Sequence, residues 1–181
     1  DVSGLQSTIF DSSIVNLFFS DNAANATIRG VEGDFTYYTN IEGLSVAGAF
    51  SLLNSNIDDK LVPTNDVVVG SELAFAPGHQ GNIRIRKETG MAGGNVGHIQ
   101  VQYTFSDKSY SDIMEPNKAK QDSYSYIDLR AGISNDELTA ELYVDNVTDE
   151  RAEISNTFVF DRQRVAYIRP TTIGIRVKKN F

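Results

Sequence analysis

The sequence predicts an all-β fold, an antiparallel up-and-down transmembrane β-barrel segment of about eight strands, and three observations carry that expectation. Apolar and polar residues alternate with period two in eight separate stretches. The connections between those stretches are alternately short and long. The closing stretch, 173–181, puts Ile173, Ile175, Val177 and Phe181 on one face and Gly174, Arg176, Lys178 and Asn180 on the other, with Lys179 breaking the apolar row. A strand with one apolar and one polar face suits lipid on one side and a wet lumen on the other.

Strands are expected at 5–19, 26–38, 44–57, 80–89, 97–107, 122–133, 137–147 and 167–181. The fifth sets Ile99, Val101, Tyr103 and Phe105 against His98, Gln100, Gln102 and Thr104. The sixth sets Ile127, Leu129, Ala131 and Ile133 against Tyr126, Asp128, Arg130 and Gly132, and the seventh Leu138, Ala140, Leu142 and Val144 against Thr139, Glu141, Tyr143 and Asp145. Thr39 to Gly43, Gly90 to Val96 and Ser134 to Asp136 read as tight Gly- or Asn-rich turns. The stretches 58–78, 107–121 and 148–166 read as long polar loops. In outer-membrane barrels short turns are periplasmic and long loops external, so one up-and-down topology accounts for the alternation. Pro63, Pro77, Pro116 and Pro170 all fall in loops or at a strand entrance, where a missing N–H least harms a ladder.

Composition narrows the class. The 181 residues make one domain, and a hydrophobic content of 40% with no long apolar run excludes a membrane protein built of helices, each of which needs roughly 20 apolar residues. With no cysteine there is no disulfide framework and no thiolate metal site. A net charge of −8 speaks against nucleic acid and against docking on anionic lipid, since both demand clustered Lys and Arg. Asp1-Val-Ser-Gly-Leu lacks the basic and then apolar pattern of a signal peptide, so either a leader has been removed or an amino-terminal part of the gene product is missing.

Three strings go further. Ala26-Thr-Ile-Arg-Gly-Val-Glu-Gly-Asp-Phe35 resembles a Gly-Val-Glu strand of TonB-dependent outer-membrane receptors. Leu142-Tyr-Val-Asp-Asn-Val-Thr-Asp149 resembles their penultimate strand, and Arg169-Pro-Thr-Thr-Ile-Gly-Ile-Arg-Val177 their closing one. The order and spacing are those of the last third of such a receptor. The resemblance implies a barrel of about 22 strands with an amino-terminal plug inside it. This chain, 1–181, would supply the carboxy-terminal part of that barrel without the plug or the TonB-contacting box. It also implies a Gram-negative outer-membrane location, contact with outer-membrane lipid, reading of Phe181, Val177, Ile175 and Ile173 by the barrel assembly machinery, and contact with TonB only through the missing part.

No residue set points to an enzyme, a cofactor or a metal. His79 and His98, the only histidines, fall at opposite ends of one hairpin, separated by a ladder of about ten residues at about 3.3 Å each. They are expected to be solvated or lumenal rather than to share a site. No Gly-x-Ser-x-Gly string is present, and Gly90, Gly93, Gly94 and Gly97 read as a turn rather than a phosphate loop. Asp58, Asp59 and Asp66, and Asp145, Asp149 and Glu150, do not follow a calcium-loop spacing and read as solvated charge. Arg84, Arg86, Arg130 and Arg176 fall on lumen-facing rows and are expected to pair with Glu32, Asp128 and Glu141. Phe35, Tyr37, Tyr103, Phe105 and Phe181 read as an interfacial aromatic girdle.

The expected function is therefore TonB-dependent uptake of a scarce ligand such as a ferric siderophore, cobalamin or an oligosaccharide. Two other readings stay open from the residues alone. One is a complete eight-stranded structural or adhesive barrel, since eight strands suffice for closure. The other is a soluble β-sandwich binding module, which would bury one face of every strand against a second sheet.

Overall fold

The computed structural model describes residues 1–11, 17–63, 65–159 and 162–180. In chain order its strands are β1 (Val2–Asp11), β2 (Leu17–Tyr38), β3 (Leu44–Lys60), β4 (His79–Gly90), β5 (Val96–Ser106), β6 (Ser109–Tyr110), β7 (Lys120–Gln121), β8 (Tyr124–Ser134), β9 (Leu138–Asp145), β10 (Glu153–Val159), β11 (Arg162–Tyr167) and β12 (Thr172–Lys179). Eight form one sheet in the order β1-β2-β3-β4-β5-β8-β9-β12, each antiparallel to its neighbour. The pairs β6–β7 and β10–β11 are small hairpins within the long connections. No helix among the described residues is long and apolar enough to cross a membrane.

The register sorts the side chains. Tyr37, Val46, Ile85, Val101, Leu129, Val144 and Ile173 succeed one another across seven strands. One residue along, Tyr38, Ser45, Arg86, Gln100, Arg130, Tyr143 and Gly174 do the same on the opposite face. The apolar face is the open one: Ile99, Leu142, Ile173, Ile175 and Val177 are exposed to 63%, 50%, 70%, 74% and 64%. No second large sheet covers it, and β1 does not pair with β12 among the described residues. A soluble sandwich would hide that face, so the sandwich reading falls.

Five cross-strand pairs set a ring against a glycine. Phe50 faces Gly33, Phe35 faces Gly48 and Phe105 faces Gly81 on the apolar side, while His98 faces Gly132 and Tyr143 faces Gly174 on the polar side. A Cβ at these glycines would sit 3.1 Å from Phe50, 2.8 Å from Phe35, 3.0 Å from Phe105 and 2.7 Å from His98. A ring lying over a bare Cα holds the register, because a slip of one residue would drive it into a side chain.

The buried core lies outside the eight-strand wall proper. At about 3.3 Å per residue the 22 residues of β2 run about 70 Å, far beyond an apolar band about 25 Å tall. The upper parts of β2 and β3 rise past β4 on the side of the long connections. There Ala23, Ala24, Ala26 and Ile57 pack against Val67 and Leu73 from the 61–78 connection and Ile113 and Met114 from the 107–123 connection. Val67 and Met114 form an antiparallel bridge, and Gly78, Ser71 and Ile57 continue the ladder along β3 through Leu53 N to Gly78 O at 2.8 Å and Ile57 N to Ser71 O at 3.0 Å. The connection thus covers the edge that β3 exposes where β4 stops.

Two expectations are corrected here. The stretch 20–25 does not separate strands at 5–19 and 26–38; it lies inside β2, which begins at Leu17, while β1 ends at Asp11. Ser20 to Asn25 has turn composition, but pairing with both β1 and β3 and burial of Ala23 and Ala24 override it. The long connections are not merely polar loops, since they bury Val67, Leu73, Ile113 and Met114 and carry two hairpins. The Phe181 expectation also lies outside the described residues.

Candidate functional site

The polar face of β4, β5, β8, β9 and β12 carries the charges. Alternation puts Arg86, His98, Arg130, Glu141 and Arg176 there, and the antiparallel register gathers His98, Arg130 and Arg176 on the Glu141 carboxylate. Glu141, only 11% exposed at its side chain, meets His98 Nε2 at 3.1 Å through Oε2, and Arg176 Nη1 at 3.3 Å and Arg130 Nη1 at 3.5 Å through Oε1. Glycine makes the first contact possible. His98 and Glu141 stand on either side of β8, and Gly132 between them has no side chain to block the imidazole. Arg130 continues the chain to Asp145 Oδ1 at 3.4 Å, and Arg176 lies 5.7 Å from the centre of the Tyr143 ring.

The remaining charges are arranged differently from expectation. Arg86 pairs with Glu88 at 2.8 Å and donates to Gln100 at 3.3 Å. Glu32 accepts from Ser51 Oγ at 3.1 Å rather than from an arginine, and Asp128 accepts from the Asn146 amide N–H at 2.8 Å. Arg84 forms no ion pair among the described residues. Its neighbour on β5 is Gln102, whose own neighbour on β8 is Asp128, so a glutamine side chain stands between Arg84 and that carboxylate, whereas Gly132 leaves the way open between His98 and Glu141.

His79 and His98 are separated: His79 is exposed, and His98 lies on the polar face. His98 is buried against Glu141, whereas His79 sits on the apolar face beside Phe105 and 3.3 Å from Asp107. The acidic clusters are engaged locally: Asp58 accepts from Thr27 at 2.7 Å, Asp145 meets Arg130, and Asp149 meets Arg151 at 3.1 Å. The Thr171 backbone N–H, and then Arg151, hold the Asp149 carboxyl below the ordinary carboxylate range. No group of three His, Asp or Glu among the described residues is placed to hold a metal ion. Tyr103 and Phe105 stack at 6.0 Å on the apolar face. Ile173, Ile175 and Val177 form an exposed apolar row on β12.

Where the charged wall reaches the long connections, a cleft of about 330 Å³ opens between Tyr126, Asp128, Arg130, Asp145 and Asn146 of the wall and Ile168 and Arg169 of the returning 146–171 connection. Alternation placed the first four on one face, but gave no sign that Ile168 and Arg169 would fold back over them.

A sheet with an open apolar face, a charged opposite face and long connections on one side only defines a wall of an outer-membrane-type β-barrel. The chain belongs to the TonB-dependent receptor-like β-barrel family, whose pattern it matches over residues 1–147. That is a receptor and transporter family of the Gram-negative outer membrane. No curated protein matches the chain in sequence. Among solved structures it is similar to the ferric yersiniabactin uptake receptor FyuA from Yersinia pestis, at 18% identity and TM-score 0.75 over 90% of this chain and 25% of FyuA. It is similar also to BauA, the ferric preacinetobactin receptor from Acinetobacter baumannii, at 17% identity and TM-score 0.69 over 95% of this chain and 25% of BauA. FpvA from P. aeruginosa, solved with a pyoverdine–iron complex, matches at 15% identity and TM-score 0.62 over 97% of this chain and 22% of FpvA. The chain thus spans about a quarter of the length of these solved receptors.

Proposed function

We propose that the chain, 1–181, is the carboxy-terminal barrel wall of a TonB-dependent outer-membrane receptor that takes up a scarce ligand, of the ferric siderophore class before cobalamin or an oligosaccharide. The observation that carries this reading is the pairing of an open apolar face with a charged face built around Glu141. The first suits lipid, and the second suits a hydrated lumen. On this reading Glu32, Arg84, Arg86, Asp128, Arg130, Glu141 and Arg176 line the lumen. Siderophores come first because that is what the similar solved receptors take up. TonB acts through the part of the receptor that this chain does not supply. The exposed row Ile173, Ile175 and Val177 supports a role for β12, with Phe181, as the signal read by the barrel assembly machinery.

The test is uptake of radio-iron presented as ferric yersiniabactin, ferric preacinetobactin and ferric pyoverdine in cells with and without the gene that encodes this chain. Loss of one complex's uptake on deletion, with no further loss on deleting TonB as well, is expected. Unchanged uptake of all three would reject the siderophore class.

A further inference from the structure

We propose that Asn146 is a positioning residue: it locks the root of the 146–171 connection and thereby holds Arg169 at the cleft on the polar wall. The inference deepens the receptor reading above and rests on it. Asn146 directly follows β9 with φ of 53°, in the left-handed region that asparagine and glycine tolerate best, and it is buried to 4% exposure. Every polar group it owns is used. Its backbone N–H donates to Asp128 at 2.8 Å, and its backbone oxygen accepts from Thr171 Oγ1 at 2.7 Å. Its side-chain nitrogen donates to Glu150 O at 3.0 Å and to Arg169 O at 2.8 Å. Its side-chain oxygen accepts from Glu150 N at 2.9 Å and Thr148 Oγ1 at 3.2 Å.

These bonds tie the outgoing strand to the returning one before the connection leaves for β10–β11. Asp149 adds a second tie to Thr171 N at 3.2 Å, and Ile168 N bonds Ala152 O at 3.0 Å. Among the described residues, the one hydrogen bond that reaches Arg169 directly comes from the Asn146 side-chain amide. Arg169 forms no ion pair among the described residues, whereas Arg130 across the cleft is matched by Glu141 and Asp145. The lock therefore presents at the upper wall a guanidinium with no ion-pair partner among the described residues, where an anionic group of a ligand would be met. The string Asn146-Val-Thr-Asp149 carries the lock because Asn146 and Asp149 close bonds across the root to Arg169 and Thr171, while Thr148 Oγ1 braces the Asn146 side-chain oxygen.

The test uses the whole receptor that carries this chain, with folding of each variant checked by heat-modifiable gel migration. Asn146→Asp turns a two-bond donor into an oxygen facing two carbonyl oxygens; Asn146→Gly keeps the backbone angle and loses every side-chain bond. Both should speed tryptic cleavage after Arg151, at the root, by roughly tenfold or more, because buried hydrogen bonds to the same amide are lost. Cleavage after Arg162 and Arg164, in the hairpin, should not change. Binding of whichever of ferric yersiniabactin, preacinetobactin or pyoverdine the wild type takes should fall about tenfold in both variants. Arg169→Gln should show the same fall in binding while the root stays protected. Wild-type protection in both Asn146 variants would overturn the lock, and so would an intact root in Asn146→Gly alone, which would reduce Asn146 to a backbone role. An opened root with unchanged binding would overturn the positioning of Arg169. A wild-type receptor that binds none of the three rejects the siderophore reading and Arg169's part with it, while protection at Arg151 still judges the lock.

Discussion

Tyr143 lies across Gly174: the two face each other in the β9–β12 ladder, and the Tyr143 ring fills the space a Cβ on Gly174 would need. Gly174→Ala should push the ring aside and loosen its contact with Arg176, at a cost of about 1–3 kcal/mol. Gly132→Ala should cost more than Gly174→Ala, because its Cβ would meet the Ala140 backbone oxygen at 2.7 Å as well as His98. Urea unfolding of the receptor in lipid vesicles reads both, and an equal or reversed order would reject the account.

The two faces should differ in their tolerance of charge. Leu142 stands on the open apolar face opposite Ile175, and Thr139 on the polar face opposite Lys178. Leu142→Arg should block folding into vesicles, since an arginine on a lipid face near the midplane costs about 2–4 kcal/mol, and Thr139→Arg should fold normally. Equal yields would show that the apolar face does not meet lipid.

Removing Glu141 should be worse than removing any one of its partners. Glu141→Ala strips His98 and Arg176 of their carboxylate and leaves Arg130 only Asp145, a loss of about 3 kcal/mol for breaking a largely buried cluster from its centre. Arg176→Ala leaves Glu141 two donors and should cost less. A smaller effect for Glu141→Ala than for Arg176→Ala in the same urea assay would show that the cluster does not act as a unit.

Acid should loosen the root of the 146–171 connection. The Asp149 carboxyl titrates below the ordinary carboxylate range, so its restraint on Thr171 is complete above that range and fades as pH falls through the lower folded value. Hydrogen exchange over 165–175, corrected for its intrinsic pH dependence, should show protection lost only at that acidic limit. In Asp149→Asn the same protection should be independent of pH; an identical acid response in the variant would assign the effect elsewhere.

Residues 1–181 alone should not transport. The sheet is open, with β12 unpaired on one side and Thr27–Tyr38 of β2 lacking a partner on the β1 side among the described residues. Unpaired backbone groups cost several kcal/mol each in lipid, so such a sheet must pair its edges or aggregate. Expression of 1–181 in a receptor-deleted strain should leave siderophore uptake at background; TonB-dependent uptake by the segment would overturn the receptor-wall reading.

The sequence by itself determined the faces. Period two in β5, β8 and β9 assigns every residue from Ile99 to Val144 within those strands to the side it occupies, because a pleated strand has only two sides and a slip of one residue would bury charge in lipid. It determined the alternation of short and long connections, and it carries the family's pattern over residues 1–147. The tertiary structure alone decided that β2 runs through 20–25, since Ser20 to Asn25 has turn composition and becomes strand only between two neighbours. It alone decided that Val67, Leu73, Ile113 and Met114 leave nominally polar connections to form a core, because contacts far apart in sequence carry no period. Likewise Glu141 becomes the centre of the polar wall only when His98, Arg130 and Arg176 arrive on neighbouring strands in register. Asn146 is a lock only because Arg169 and Thr171 return to it from the far end of the connection, and a bond closed over so many residues depends on the path of the chain rather than on any local pattern.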